Sequence, residues 1–280
     1  MLRKFYLGSL TDLQELEEPD SFTRPAERIQ SISQGASGRR TTNVTGIKRK
    51  WELSWSDALP ETRERLEQLY YGFGANEPLR FFDPYTTNLL HPRDAAAGSS
   101  YGYGNTFSLS NIVETHAAPT GSGLAISPTP RLVTVLTNPS STFPNASFLD
   151  FRGRQLPATL GDVTLSAWVL ATNGGTMTLL PFNSEVGFTS GTPQSVTISA
   201  SSTWQHVSLT ASFITGFPVW RVKFNVPVSS AIQVGPMKAE LGDTASDWTS
   251  GTGARVVIES LNDEVRLYPY SGLSLTLLEV

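Results

Sequence analysis

The chain has no cysteine in its 280 residues. That excludes disulfides, thiolate nucleophiles and cysteine-held zinc together. It is also poor in charge. Asp, Glu, Lys and Arg make up 16% of it, against a usual quarter, which suits an all-β protein with Ser- and Thr-rich polar faces. The balance is acidic, at −4, so neither nucleic acid nor anionic lipid is expected as a partner. There are three histidines, His91, His116 and His206, and they lack the spacing of a metal site. No apolar run approaches the roughly 20 residues of a membrane span, so no membrane insertion is expected. Met1–Gly8 holds two basic residues but no apolar stretch fit for a signal-peptide core.

The charge that is present is unevenly placed. Residues 1–90 carry 25 of the 46 charged side chains, residues 91–250 carry 15, and the last 30 carry 6. Between the charged ends lies a run of Ser, Thr, Gly, Pro and apolar residues. This order predicts one domain interrupted by another: 1–90 with 253–280 as a discontinuous β-domain, 91–104 as a linker, and 105–250 as an inserted module. Composition places the crossing points in the loop after Pro84 and in Ser250–Gly253.

In the first segment, Arg28–Ser33 reads as a short strand, followed by a basic, Gly-rich tip at 35–40. The return strand alternates: Ile47, Trp51, Leu53 and Trp55 share one parity, Lys48, Lys50, Glu52 and Ser54 the other. One helix is expected from Pro60 to Tyr71, capped by Ser56 or Asp57. Leu66, Leu69, Tyr70 and Phe73 would form its apolar stripe. Leu273–Leu277 alternates as a closing strand. In the module, strands recur every ten to fifteen residues: Ser147–Phe151, Val163–Leu170, Thr176–Leu180, Ser195–Ala200, Gln205–Phe213, Val219–Val226 and Ala231–Glu240. The fold class is therefore all-β with one helix.

Three stretches, Thr164–Val169, Thr203–Thr210 and Met237–Gly242 leading to Asp247-Trp248, resemble jelly-roll carbohydrate-binding modules. The match is a Trp-bearing strand, a Trp-initiated strand and a Gly-to-Trp ending, in that order. The flanks, in Gly46–Trp55, the helix after it, Pro78–Pro84 and Leu273–Val280, resemble a siphophage distal-tail or minor-tail protein. The resemblance implies a split β-sandwich tail domain carrying an inserted jelly roll. It further implies a virion location at the tail tip, a self-assembled ring of about six-fold symmetry, contacts with other tail proteins, and a host-surface glycan as ligand. The alternatives are a secreted or surface glycan-binding accessory module of a bacterium, or a structural decoration with no ligand.

The candidate glycan residues are Trp168, Arg221 and Lys223. Trp168 shares parity with Thr164 and Ser166, opposite Leu165, Ala167 and Val169, so its indole either stacks on a sugar or is covered by a loop. Arg221 and Lys223 alternate outward from Trp220, Val222 and Phe224. They either reach sugar hydroxyls or an anionic glycan, or form a solvated face. Trp220 has core parity, the resemblance implies packing for Trp204, and Trp248 is expected to cover the module's open end. Residues 91–250 hold eight acids, mostly at turns, so no hydrolase is expected. No cofactor is expected beyond a structural calcium, for which Asp150, Asp162, Glu240 and Asp243 are the candidate ligands.

Overall fold

A computed structural model describes the chain except residues 1–3, 10–11, 35–39, 74–78, 91–94, 97–112, 127–128, 140–144, 150–154, 184–188, 191, 213, 250–252 and 268. In chain order the strands are β1 Phe5–Gly8, β2 Leu13–Leu16, β3 Ser21–Thr23, β4 Ala26–Gln34 and β5 Arg40–Ala58, followed by the helix α1 Pro60–Tyr70 and β6 Leu79–Phe82. Next come β7 Val113–Ala117, β8 Val133–Asn138, β9 Asn145–Leu149, β10 Gln155–Pro157, β11 Val163–Ala171, β12 Gly175–Asn183 and β13 Thr189–Ser190. The chain continues through β14 Gln194–Ile198, β15 Gln205–Ala211, β16 Val219–Pro227 and β17 Ser230–Leu241 to β18 Ala254–Leu267 and β19 Tyr270–Glu279. The protein is all-β with α1 as the helix of the described residues. It divides into a split unit, Lys4–Ser9, Gln14–Phe81 and Ala254–Val280, and an inner unit built on Phe82–Gly253.

The split unit is one sheet in the order β2-β1-β6-β18-β19-β5-β3, with β4 paired to β5. Leucines on β19 meet the alternating face of β5: Leu273 opposite Trp55, Leu275 opposite Leu53, Leu277 opposite Trp51. All six are buried. The sheet rolls over on itself. Phe5 on β1 and Phe22 on β3 lie far apart along the strand order, yet their rings are 5.0 Å apart, and Trp51 and Phe81 lie at 5.7 Å. A bidentate pair, Arg49 to Glu279 at 2.7 and 3.1 Å, ties β5 to the chain's far end.

The helix departs from expectation at both ends. Its N-cap is Leu59, which offers no side-chain cap. Glu17 supplies it instead, accepting from the Leu59 N–H at 2.9 Å and the Thr62 hydroxyl at 3.3 Å. A carboxylate there also suits the helix dipole. Leu66 and Leu69 are buried, whereas Tyr70 is 45% and Phe73 69% exposed. Phe73 lies beyond Gly72, whose φ of +77° ends the helix, so helical periodicity no longer governs where it points.

The inner unit is a two-sheet sandwich. One sheet runs β15-β11-β17-β8-β7; the other centres on β16 and β12, with β9 and β10 along β16 and β13 and β14 along β12. Leu165, Ala167 and Val169 of β11 are buried, as are Trp220, Val222, Phe224 and Val226 of β16. The Asn138 side chain, fully buried, donates from β8 to the Val226 carbonyl of β16 at 3.1 Å. The strands β7, β8, β10, β13 and the 14-residue β18 were not anticipated, nor were β1–β3; the shortest of them carry too little alternation to stand out. Of the expected linker, Ala95 and Ala96 are described, and Ala95 is buried.

The segments next to the unit's two ends are laced together. Asn88, fully buried, donates to the carbonyls of Thr249 at 3.0 Å and Met237 at 3.3 Å. Its carbonyl oxygen accepts from Leu90 and Ala239 N–H, both at 3.1 Å. Gly253 donates to Asn88 O and Leu90 O. A Cβ at Gly253 would sit 2.2 Å from the Leu89 carbonyl, so no larger residue fits there.

Candidate functional site

Pro236 shapes the site. It lies in β17, within the five-stranded sheet, and has no N–H to give to the ladder. The pairing of β11 with β17 accordingly slips between Ala167 and Val169: Ala167 faces Met237, but Val169 faces Val234. Gly235 and Pro236 are left opposite Trp168 as a bulge. The buried side chains of β17 change parity across it, from Ile232 and Val234 to Met237 and Ala239. Bulges often re-aim a neighbouring side chain. A Cβ at Gly235 would meet the Trp204 ring and the Trp168 carbonyl oxygen, both at 3.2 Å.

Trp168, on the parity of β11 opposite the buried Leu165, Ala167 and Val169, stands on the outer face of this sheet, half-buried. One side packs against the small cluster of Val133, Leu170, Trp204 and Leu124. The other side is open. His206 lies directly opposite it on β15, with ring centroids 5.3 Å apart at 37°. Two loops flank this pair. The first is held by Trp204, which donates from Nε1 to Thr120 O at 2.7 Å and from its backbone to Ser122 O at 2.9 Å. The second, 243–249, folds back over the sheet. Lys238, buried, pairs with Glu240 at 3.2 Å and donates to Ser246 and to Asp247 O at 3.0 Å. Glu240 accepts from Ser246 N–H at 2.8 Å. Trp248 donates from Nε1 to Met237 O at 3.2 Å. The result is a cavity of about 290 Å³ lined by Trp168, His206, Asp247, Trp248, Ala125 and Ile126.

Arg221 and Lys223 are not part of it. Both lie on β16, in the six-stranded sheet, whereas Trp168 is on β11 in the other. The three residues therefore do not share a sheet face. Arg221 is 7% exposed, and its guanidinium carbon sits 3.1 Å from the centre of the Phe182 ring. Lys223 is half-buried, in register with Thr178 and Leu149. Parity predicted their outward direction but could not tell which sheet each strand joins.

What the sequence reading missed is the company Trp168 keeps. Spacing gives His206 no role, Trp248 reads as a cover for the module's open end, and Asp247 enters only beside Trp248 in the resemblance. The available signal was Gly235-Pro236, where alternation changes phase inside one strand. Of the calcium candidates, Asp150 lies outside the described residues, and the Glu240 carboxylate is engaged by Lys238 and Ser246. A neighbouring cavity of about 210 Å³, lined by Thr86, Thr87, Leu89, Lys238 and Glu240 among others, is walled by this same ion-pair network.

No family model and no curated protein matches the chain. Among solved structures it is similar to the enzymatically active domain of tailspike protein 4 of bacteriophage CBA120, at 13% identity and a TM-score of 0.39. That match covers 51% of this chain and 21% of the tailspike chain's length. It is also similar to variants of a family 29 carbohydrate-binding module. One is 16% identical, covering 58% of this chain and 96% of the other, with a TM-score of 0.34. Another, complexed with mannohexaose, is 14% identical over 55% and 89%, with a TM-score of 0.33.

Proposed function

We propose that this chain is a non-enzymatic component of the tail tip of a long-tailed phage, whose inner unit binds glycan on the host surface. The observation that carries the reading is the open side of Trp168, facing a shallow cavity shared with His206, Asp247 and Trp248. An indole face offers a sugar ring flat apolar area, and a few convergent polar groups orient it. Among the described residues that line the cavity, Asp247 is the one acid. Glycoside hydrolysis ordinarily uses a flanking pair, so this lining supports binding without cleavage. A lone shallow site binds weakly, but copies on a ring gain avidity without new contacts.

In the split unit, exposed Tyr70, Tyr71 and Phe73 form a chain of ring contacts at 5.5 and 6.4 Å. Such an apolar patch supports a contact with a second copy. The packing of Trp168 on the Leu124–Trp204 cluster favours a second reading, a structural decoration without ligand.

Glycan arrays on the full chain and its Trp168→Ala variant decide between the two. Binding by the parent that Trp168→Ala abolishes, with a nearly unchanged melting temperature, is the expected outcome. If Trp168→Ala lowers the melting temperature as a core truncation does and no glycan binds the parent, the decoration reading replaces ours. Negative-stain microscopy of the full chain tests the ring, and a monomer at all concentrations would remove it.

A further inference from the structure

The cavity over Trp168 has a definite sign of charge. Among the described residues its lining holds no Lys or Arg, and Asp247 is the charged residue there. Among the described residues the Asp247 carboxylate has no ion-pair partner; only its backbone oxygen is engaged, by Lys238. Lys238 cannot offset it, being buried and paired with Glu240. An acidic sugar would thus meet an uncompensated carboxylate, without a cation to receive it. A neutral sugar could stack but would leave that charge unanswered. A protonated amine meets both features: indole faces attract a cation, and the carboxylate accepts a charge-assisted hydrogen bond from it.

Resting on the glycan-binding reading above, we propose that this site selects a sugar carrying a free, protonated amino group, such as a glucosamine unit, through Trp168, Trp248 and Asp247. The volume of about 290 Å³ is at or just below the small end of ordinary ligand pockets. It fits recognition of one sugar ring, with the rest of the chain lying outside. His206, whose ring leans against Trp168, borders the sugar and does not supply the counter-charge.

Calorimetric titration of the full-length protein with three probes tests this: glucosamine oligomers, their fully N-acetylated counterparts, and galacturonic acid oligomers. The glucosamine oligomers should bind about five- to thirty-fold more tightly than the N-acetylated ones. Galacturonic acid should bind least. Raising the salt from about 0.05 to about 0.5 M should shrink the gap. Asp247→Asn should erase it without moving the melting temperature, while Asp162→Asn, an exposed acid elsewhere on the unit, should preserve it and so exclude a general attraction to an acidic protein. Equal binding of amino and N-acetylated oligomers, unaffected by Asp247→Asn but lost in Trp168→Ala, would overturn the charge selection and leave glycan binding standing. Tightest binding of the uronic acid would also overturn it. Failure of all three probes, together with every neutral glycan on the array, would sink both proposals.

Discussion

The two units weight their cross-strand pairs differently, although Ser21 and Ser54 of the split unit also pair hydroxyls at 2.8 Å. In the split unit, charged pairs join residues far apart in the chain: Arg49 to Glu279 at 2.7 Å, Arg63 to Asp263 at 2.7 Å, Lys50 to Glu259 at 3.5 Å. In the inner unit, hydroxyls pair across neighbouring strands, Thr164 with Thr210 at 2.8 Å and Thr178 with Ser195 at 2.9 Å. A unit made of two chain pieces must specify how the second piece registers on the first. Opposite charges do this, because a slipped register leaves them facing wrongly. A contiguous unit obtains register from its own turns and needs fewer charges.

The largest test of the contrast is to end the chain after Gly253. This removes Ala254, Val256, Leu273, Leu275 and Leu277 from the split unit's core. A loss on the scale of the whole unit's stability, about 5–15 kcal/mol, is expected, while the inner unit keeps its own transition in calorimetry. A truncated chain whose split unit melts as hot as in the parent would break the comparison.

A smaller effect probes the inner unit. Trp220, fully buried, should cost about 3–5 kcal/mol when cut to Ala. Its indole N–H has no hydrogen-bond partner among the described residues. Trp220→Phe should therefore cost clearly less than Trp220→Ala, since it also removes an unmet donor. Denaturant melts of both variants check this, and equal losses would show that the N–H is satisfied in solution.

The smallest effect concerns pH. The Ser56 N–H, at 2.6 Å, holds the Asp20 carboxyl below its ordinary 3.8. A carboxyl whose folded value is depressed adds stability above its unfolded value. That contribution is lost as the pH falls through the folded value. Asp20→Asn should flatten the acid limb of the split unit's melting curve as the pH falls below the carboxyl's ordinary 3.8, leaving the inner unit's limb unchanged. An acid limb that does not change in the variant would remove Asp20 from the account.

Much of this was legible in the sequence where the information is local. Trp51, Leu53 and Trp55 announce their strand because a two-residue period needs only near neighbours. Trp220 and Trp168 were separated into core and surface on the same ground. The helix cap was not legible, because Glu17 reaches Leu59 from a distant loop. Nor was the exposure of Phe73, since it depends on where Gly72 stops the helix.

By itself the sequence determined an all-β chain with one helix, a charge-rich frame around a charge-poor centre, and the face on which Trp168 stands. These follow from composition and alternation, which neighbouring residues settle between themselves. Only the tertiary structure decided which strands share a sheet, and so parted Arg221 and Lys223 from Trp168. It also brought His206 to that indole through the pairing of β11 with β15, and Asp247 and Trp248 through the returning 243–249 loop. Strand order and loop return depend on contacts between residues remote in the chain, and no local pattern encodes them.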